Sequence, residues 1–161
     1  MDSVTIRSFH PEDQGAVKAL ILAGLEEHWG VLDLTKNPDL NDIAASYGDA
    51  VFLTAWSGER LVGTGALVHE AEGVARIVRM SVAVDMRRCG VGRALLARLC
   101  EEAQSAGYRR IVLETTSEWR DAIAFYARFG FRITGAWDGD THFVVDLTDC
   151  CNAGRGALPD G

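Results

Sequence analysis

Apolar and polar residues along the chain alternate in short blocks whose period switches between that of a strand and that of a helix. Val4 to Phe9 alternates strictly, the pattern of a half-buried strand. His10-Pro11-Glu12-Asp13 reads as a helix start, with Pro at the first helical position and acids in the first turn. Val17, Leu20, Ile21 and Leu25 keep helical spacing, and Gly30 ends that helix near Trp29. A second short helix is predicted over residues 38–47, with Leu40, Ile43 and Ala44 on one face. Strands are predicted over 50–56, 61–69 and 74–84, joined by turns at Ser57-Gly58-Glu59 and at Glu70-Ala71-Glu72-Gly73. After a glycine-containing turn, Val91, Leu95, Leu99 and Ala103 mark one helical face, with Leu96 and Cys100 beside it, and Gly107 stops the helix. A strand over 110–115 follows, then a short helix over 121–129 closed by Gly130. The chain finishes with strands over 131–137 and 141–147 around the turn Asp138-Gly139-Asp140.

The order β, α, α, β, β, β, α, β, α, β, β is an antiparallel meander followed by two β–α–β crossovers. It predicts an α/β (α+β) fold with a mixed, mostly antiparallel central sheet and helices on both faces. Residues 1–147 read as a single domain, without repeat or linker, and 148–161 as a flexible tail without periodicity.

Composition narrows the class. The net charge is −7, which argues against non-specific nucleic-acid binding. No apolar run reaches the ~18–20 residues of a membrane span, and the first residues lack the n- and h-regions of a secretory signal, so a cytoplasmic protein is expected. The cysteines are Cys89, Cys100, Cys150 and Cys151. They form no C-x-x-C pair and no Cys/His cluster at ligand spacing, so no metal is expected and the thiols read as reduced, with Cys100 in the core.

The chemistry concentrates between Val74 and Leu99. A β-branched run passes through Arg87-Arg88-Cys89-Gly90-Val91-Gly92 into a helix. Such a strand, turn and helix start presents bare backbone N–H groups and a positive dipole end to a phosphate. Gly90 and Gly92 allow close backbone approach, and Arg87, Arg88 and Arg93 supply charge. The turn is not a Walker A loop, because no glycine is followed by Lys-Ser or Lys-Thr. It is not a dinucleotide fingerprint either, because Leu95 stands where the third glycine would be. The pattern R-x-x-G-x-G remains, against the plainer reading of a glycine-rich turn with solvated arginines.

The block from Met80 to Leu96 (MSVAVDMRRCGVGRALL) resembles motif A of the GCN5-related N-acetyltransferases. The segment Ala122 to Phe131 (AIAFYARFGF) is similar to that family's motif B, in the same order and at the usual separation. The resemblance covers roughly residues 4–147. It implies acetyl-coenzyme A as donor, the backbone of Met80, Ser81 and Val82 pairing with the pantetheine arm, and the N–H groups of Arg88, Cys89, Gly90, Val91, Gly92 and Arg93, with Arg87, around the diphosphate. It further implies a splayed β4/β5 pair that admits the thioester, an oxyanion held by backbone N–H near Val82, and direct attack by a primary amine in a ternary complex.

Tyr126, the tyrosine of motif B, is the candidate acid for the leaving thiolate. Glu114, twelve residues earlier, is the candidate base, directly or through water, as in ribosomal-protein N-terminal acetyltransferases of the same family. The alternatives are a core aromatic for Tyr126 and an arginine-paired carboxylate for Glu114, with Arg79 or Arg109 as partner. His69, His28 and His142 are rival bases. Trp119 stands where many relatives carry an Asn that hydrogen-bonds the pantetheine arm, which an indole cannot accept. The acceptor, a small-molecule or peptide amine, is expected near the first two helices and the last hairpin, at the stretch Glu26 to Val31, Tyr47 and Trp137 to Asp140, with His28, Trp29, Tyr47 and Asp138 as candidates and charge plus cation–π contact as the means, against the plainer reading of a solvated acidic turn with core-edge tryptophans. Family members are often homodimers. The reading from another class is a non-catalytic module that binds coenzyme A or acetyl-CoA for regulation.

Overall fold

The structure, a computed structural model, describes residues 3–30 and 36–147. Val31, Cys150, Cys151 and the tail over 148–161 lie outside the described residues, as does the side chain of His28. Seven strands form one sheet in the order β1-β2-β3-β4-β5-β7-β6. They are β1 (Val4–Ser8), β2 (Val51–Ser57), β3 (Arg60–Ala71), β4 (Val74–Val82), β5 (Arg110–Thr116), β6 (Arg132–Trp137) and β7 (Asp140–Asp146). β4 and β5 are parallel, and β5–β7 and β6–β7 are antiparallel. The mixed sheet expected from the order of elements is therefore present. Within the parallel pair, Val74, Ala75 and Arg76 are in register with Arg110, Ile111 and Val112. The chain divides into two compact units, one of Met1–Ala66 with Arg79–Leu96 and one of Leu67–Val78 with Ala97–Gly161.

In the first unit, α1 (Gln14–Trp29) begins one turn later than its sequence signal, because Pro11–Asp13 forms a 3-10 turn. Asp13 is buried there. Its carboxylate accepts from both Nη atoms of Arg7, at 2.8 and 3.2 Å, and from the backbone N–H of His10 at 3.0 Å. Gly30 closes α1 in the left-handed conformation with φ of 74°, as expected of a helix C-terminus. The helix expected over 38–47 is broken in two, a 3-10 turn at Pro38–Asn41 and α2 (Ile43–Ser46). The break is Asp42, whose extended backbone lets its carboxylate accept from the N–H of Ala45 and cap α2. Val17, Leu40 and Ile43 are fully buried in this unit.

In the second unit, α4 (Arg120–Phe129) carries Tyr126 and Phe129 inward against Phe131 and Phe143. α3 (Val91–Ser105) carries a stripe of Val91, Leu95, Leu99 and Ala103 that is at most 2 % exposed. Two-residue turns close the hairpins at Gly58-Glu59, Glu72-Gly73 and Asp138-Gly139. In the last, Asp138 (φ 55°) and Gly139 (φ 81°) are both left-handed, the backbone of a type I′ turn that matches strand twist. Cys100 is buried as expected but is disulfide-bonded, which corrects the reading of all four thiols as reduced. No helix of the described residues is long and apolar enough to cross a membrane.

Burial pushes the Asp13 carboxyl up, but the hydrogen bonds from Arg7 and His10 outweigh it and hold the group below its usual range. Such a carboxylate contributes stability above its unfolded pKa, and the contribution is lost as pH falls through the folded value. Asp13→Asn is expected to cost about 1–2 kcal/mol at pH 7 in urea unfolding. The gap to the parent protein should close below about pH 4. A pH-independent gap would mean that the loss is one of shape rather than charge.

Candidate active site

The sequence-predicted donor site lies in the first unit, where β4 leads through Ala83 and a 3-10 turn (Val84–Met86) to α3. The strand stops at Val82, two residues short of its sequence signal: Ala83 N–H still donates to the Val62 carbonyl at 2.9 Å, but the chain then enters the 3-10 turn, where Met86 N–H donates to the Ala83 carbonyl at 2.9 Å. Arg88 (φ 64°) and Gly90 (φ 86°) are left-handed. These reversals aim the chain into α3, whose first N–H groups lack acceptors within the helix. A Cβ built on Gly90 would meet nothing within 4 Å. The glycine is therefore required by its backbone conformation, and the space over it is open. Arg88, Cys89 and Gly90 are exposed, and Cys89 is a free thiol. Arg87 is committed elsewhere: its Nη1 donates to Glu27 Oε1 of α1 at 2.5 Å. An open left-handed glycine, a helix start and exposed arginines fit the diphosphate of a nucleotide-bearing thioester.

Two glycines seat this segment. Gly63 in β3 faces α3, and a Cβ there would lie 2.8 Å from Val91 Cγ1 and 2.9 Å from Leu95 Cδ1. Gly24 in α1 faces β4, with the corresponding distance to Ser81 Oγ at 3.1 Å. A glycine inside an apolar strand is the sequence sign of such close approach, and Gly63 carried that sign.

The candidate acid and base lie in the second unit. Tyr126 is buried, in ring contact with Phe131 at 6.0 Å and Phe143 at 5.6 Å between centroids. Burial alone raises its phenol well above the usual tyrosine range, so the hydroxyl stays protonated and is a weaker acid than a solvated tyrosine. Glu114, near the end of β5, is ion-paired with Nη1 of Arg76. Arg76 also holds Glu70, through Nε to Oε1 at 2.8 Å and Nη2 to Oε2 at 3.2 Å, so one guanidinium serves two carboxylates. A paired Glu114 was one of the two sequence readings, but its partner is Arg76 rather than Arg79 or Arg109. Its side chain remains 35 % exposed.

Register places these groups. Leu113 pairs with Phe143, and Glu114 with His142. Neighbours along a strand point to opposite faces, so Glu114 and His142 share one face while Tyr126 packs against the other, on Phe143. The structure does not bring Glu114 and Tyr126 onto one face of β5. His142 lies flat against Trp137, with ring centroids 3.7 Å apart and planes within 7°. Its buried Nε2 has no hydrogen-bond partner. Trp137 folds back over Gly135, where a Cβ would stand 2.6 Å from the indole, and stays 52 % exposed. His69 is engaged with the Tyr108 hydroxyl at 3.0 Å.

The candidate acceptor residues are spread over the chain. Trp29 is the exposed last residue of α1. Tyr47 donates to Asp39 Oδ2 at 2.6 Å. Asp138 occupies the hairpin turn described above. Trp119 is the N-cap of α4, without a side-chain cap bond. Sequence reasoning missed Arg76, Asp39 and the Trp137–His142 stack. Only pairing distances between strands, or between a loop and a strand, bring them into play.

A profile of the Acetyltransferase (GNAT) family matches residues 16–131. An IAA acetyltransferase from Azospirillum brasilense is 31 % identical over 137 residues, covering 84 % of this chain and 88 % of that protein. An acetyltransferase of the GNAT family from Staphylococcus aureus Mu50 superposes with a TM-score of 0.83 at 20 % identity, covering 90 % of this chain and 99 % of the other. The PaiA N-acetyltransferase from Thermoplasma acidophilum, solved in complex with coenzyme A, superposes with a TM-score of 0.78 at 18 % identity, covering 89 % and 99 %. The chain belongs to the GNAT family of acetyltransferases. Against several other curated relatives it spans about half of their length.

Gly63→Ala is expected to lower stability by about 1–3 kcal/mol in urea unfolding, because the new methyl overpacks the buried Val91 and Leu95. A neutral result would show that the start of α3 can retreat from β3 without loss.

Proposed function

We propose that this protein transfers the acetyl group of acetyl-CoA to a primary amine, on a small molecule or a peptide, by direct attack in a ternary complex. The open left-handed Gly90 at the start of α3, directly after β4, carries this reading, and family membership supports it. The N–H groups of Arg88, Cys89, Gly90, Val91, Gly92 and Arg93 hold the diphosphate, with Arg87 contributing charge once released from Glu27. The backbone of Met80, Ser81 and Val82 pairs with the pantetheine arm as an added strand. Backbone N–H near Val82 stabilises the carbonyl oxygen as it gains charge during attack.

Two proton movements remain. The attacking nitrogen must be neutral, and Glu114, directly or through water, takes its proton. The departing sulfur needs a proton, and Tyr126, the tyrosine of the motif B segment, is the candidate to supply it. Trp29, Tyr47, Asp138 and His28 are candidates for the acceptor end, where an aromatic and acidic lining would favour a cationic amine. A donor-binding regulatory module without turnover is the competing reading, and the retention of both Glu114 and Tyr126 weighs against it.

A thiol-release assay with acetyl-CoA over a panel of primary amines tests the proposal. Turnover is expected with at least one amine. Binding of acetyl-CoA without thiol release on any amine would favour the regulatory module. Tyr126→Phe should lower kcat by ~10²–10⁴-fold with KM for acetyl-CoA little changed. Glu114→Gln should lower kcat most at the acid end of the pH profile, where the amine arrives protonated. A near-parental rate in Tyr126→Phe would remove the phenol from the mechanism.

A further inference from the structure

One residue of the donor strand stands in a conformation that its side chain disfavours. Arg79, within β4, has φ of 56°. Left-handed backbone in the middle of a strand is rare for a long side chain and persists only where surroundings over-determine it. Both ends of Arg79 are held. Its carbonyl accepts from the hydroxyl of fully buried Thr64 at 2.8 Å. Its guanidinium forms a fork on Asp39, Nε to Oδ2 at 3.0 Å and Nη2 to Oδ1 at 2.7 Å, and Nη2 also reaches Asn37 Oδ1 at 3.1 Å. Asp39 takes a further bond from the Tyr47 hydroxyl at 2.6 Å. Burial pushes the Asp39 carboxyl up, and the bonds from Arg79 and Tyr47 outweigh it, so the clamp is charged. The next residues along the strand are Met80, Ser81 and Val82.

We infer that Asp39, with Tyr47 behind it, is a positioning residue for acetyl-CoA binding: it grips the Arg79 guanidinium and so holds the left-handed kink that sets the backbone of Met80, Ser81 and Val82 for the donor. A strand that relaxes at Arg79 rotates the peptide groups after it, and backbone groups aimed at a pantetheine arm lose their direction. Tyr47 then belongs to the donor machinery, and the segment from Asn37 to Tyr47 couples the acceptor side of the chain to the donor strand. This inference rests on the proposed acetyl-CoA site.

The test uses the fact that glycine adopts positive φ freely, whereas alanine does not. Acetyl-CoA binding is measured by calorimetry on the full chain, together with amide exchange of the segment over 79–83 in the unliganded protein. In that segment Ala83 N–H donates to Val62. Arg79→Ala loses the clamp and keeps the strain, so it should weaken acetyl-CoA about tenfold and speed exchange by a similar factor. Arg79→Gly loses the clamp and the strain together, so it should stay within about threefold of the parent in both measurements. Asp39→Asn should resemble Arg79→Ala, and adding Arg79→Gly to it should restore binding. That suppression keeps the test decisive where Arg79→Ala folds poorly, and a merely structural ion pair would not produce it. Equal losses in Arg79→Ala and Arg79→Gly, or no rescue of Asp39→Asn, would overturn the inference. If the parent protein binds no acetyl-CoA, the proposed function fails instead, and the glycine-versus-alanine split in exchange still decides whether the clamp holds the kink.

Discussion

The close approach of α3 to β3 at Gly63 is the constraint on which the donor segment depends. A helix start can offer N–H groups to a ligand only if its first turn is seated against something rigid. Here the seat is a strand without a side chain at the contact, filled by Val91 and Leu95 from the helix. The seat in turn fixes the direction in which the left-handed Arg88 and Gly90 send the chain. The proposed phosphate site, made of backbone, therefore rests on apolar packing a few residues away.

In the second unit, polar groups are arranged with less economy. Arg76 answers both Glu70 and Glu114, while His142 buries Nε2 unpaired beneath Trp137. Buried polar atoms are nearly always partnered in folded proteins, and this ring nitrogen is an exception among the described residues. Tyr126 differs in kind. Its environment is aromatic on several sides, and the only effect on its phenol is the withdrawal of water.

The fold was legible where periodicity and turn chemistry agreed. The apolar stripe of α3, the Asp138-Gly139 turn and the Gly30 and Gly130 stops all stand where their residues predicted. Boundaries slipped where local side chains compete with the helix, as at Asp42, or where a 3-10 turn takes over from a strand, as after Ala83. The donor segment was legible because its chemistry is contiguous in sequence. Arg76 with Glu114, or Arg79 with Asp39, was not, because each pair joins residues far apart in the chain and any of several arginines could serve.

Three of the hairpins close through two-residue turns, so their contacts are local in the chain. The parallel ladder of Val74–Arg76 with Arg110–Val112 is different, because all of α3 and the turn before it lie between its strands. Closing that loop costs more chain entropy than closing any of the tight hairpins. The residues proposed to grip the diphosphate thus sit inside a closure far longer than any of the hairpin turns. Folding of the donor segment is tied to completion of the crossover, and a chain that has formed only its hairpins has no phosphate site.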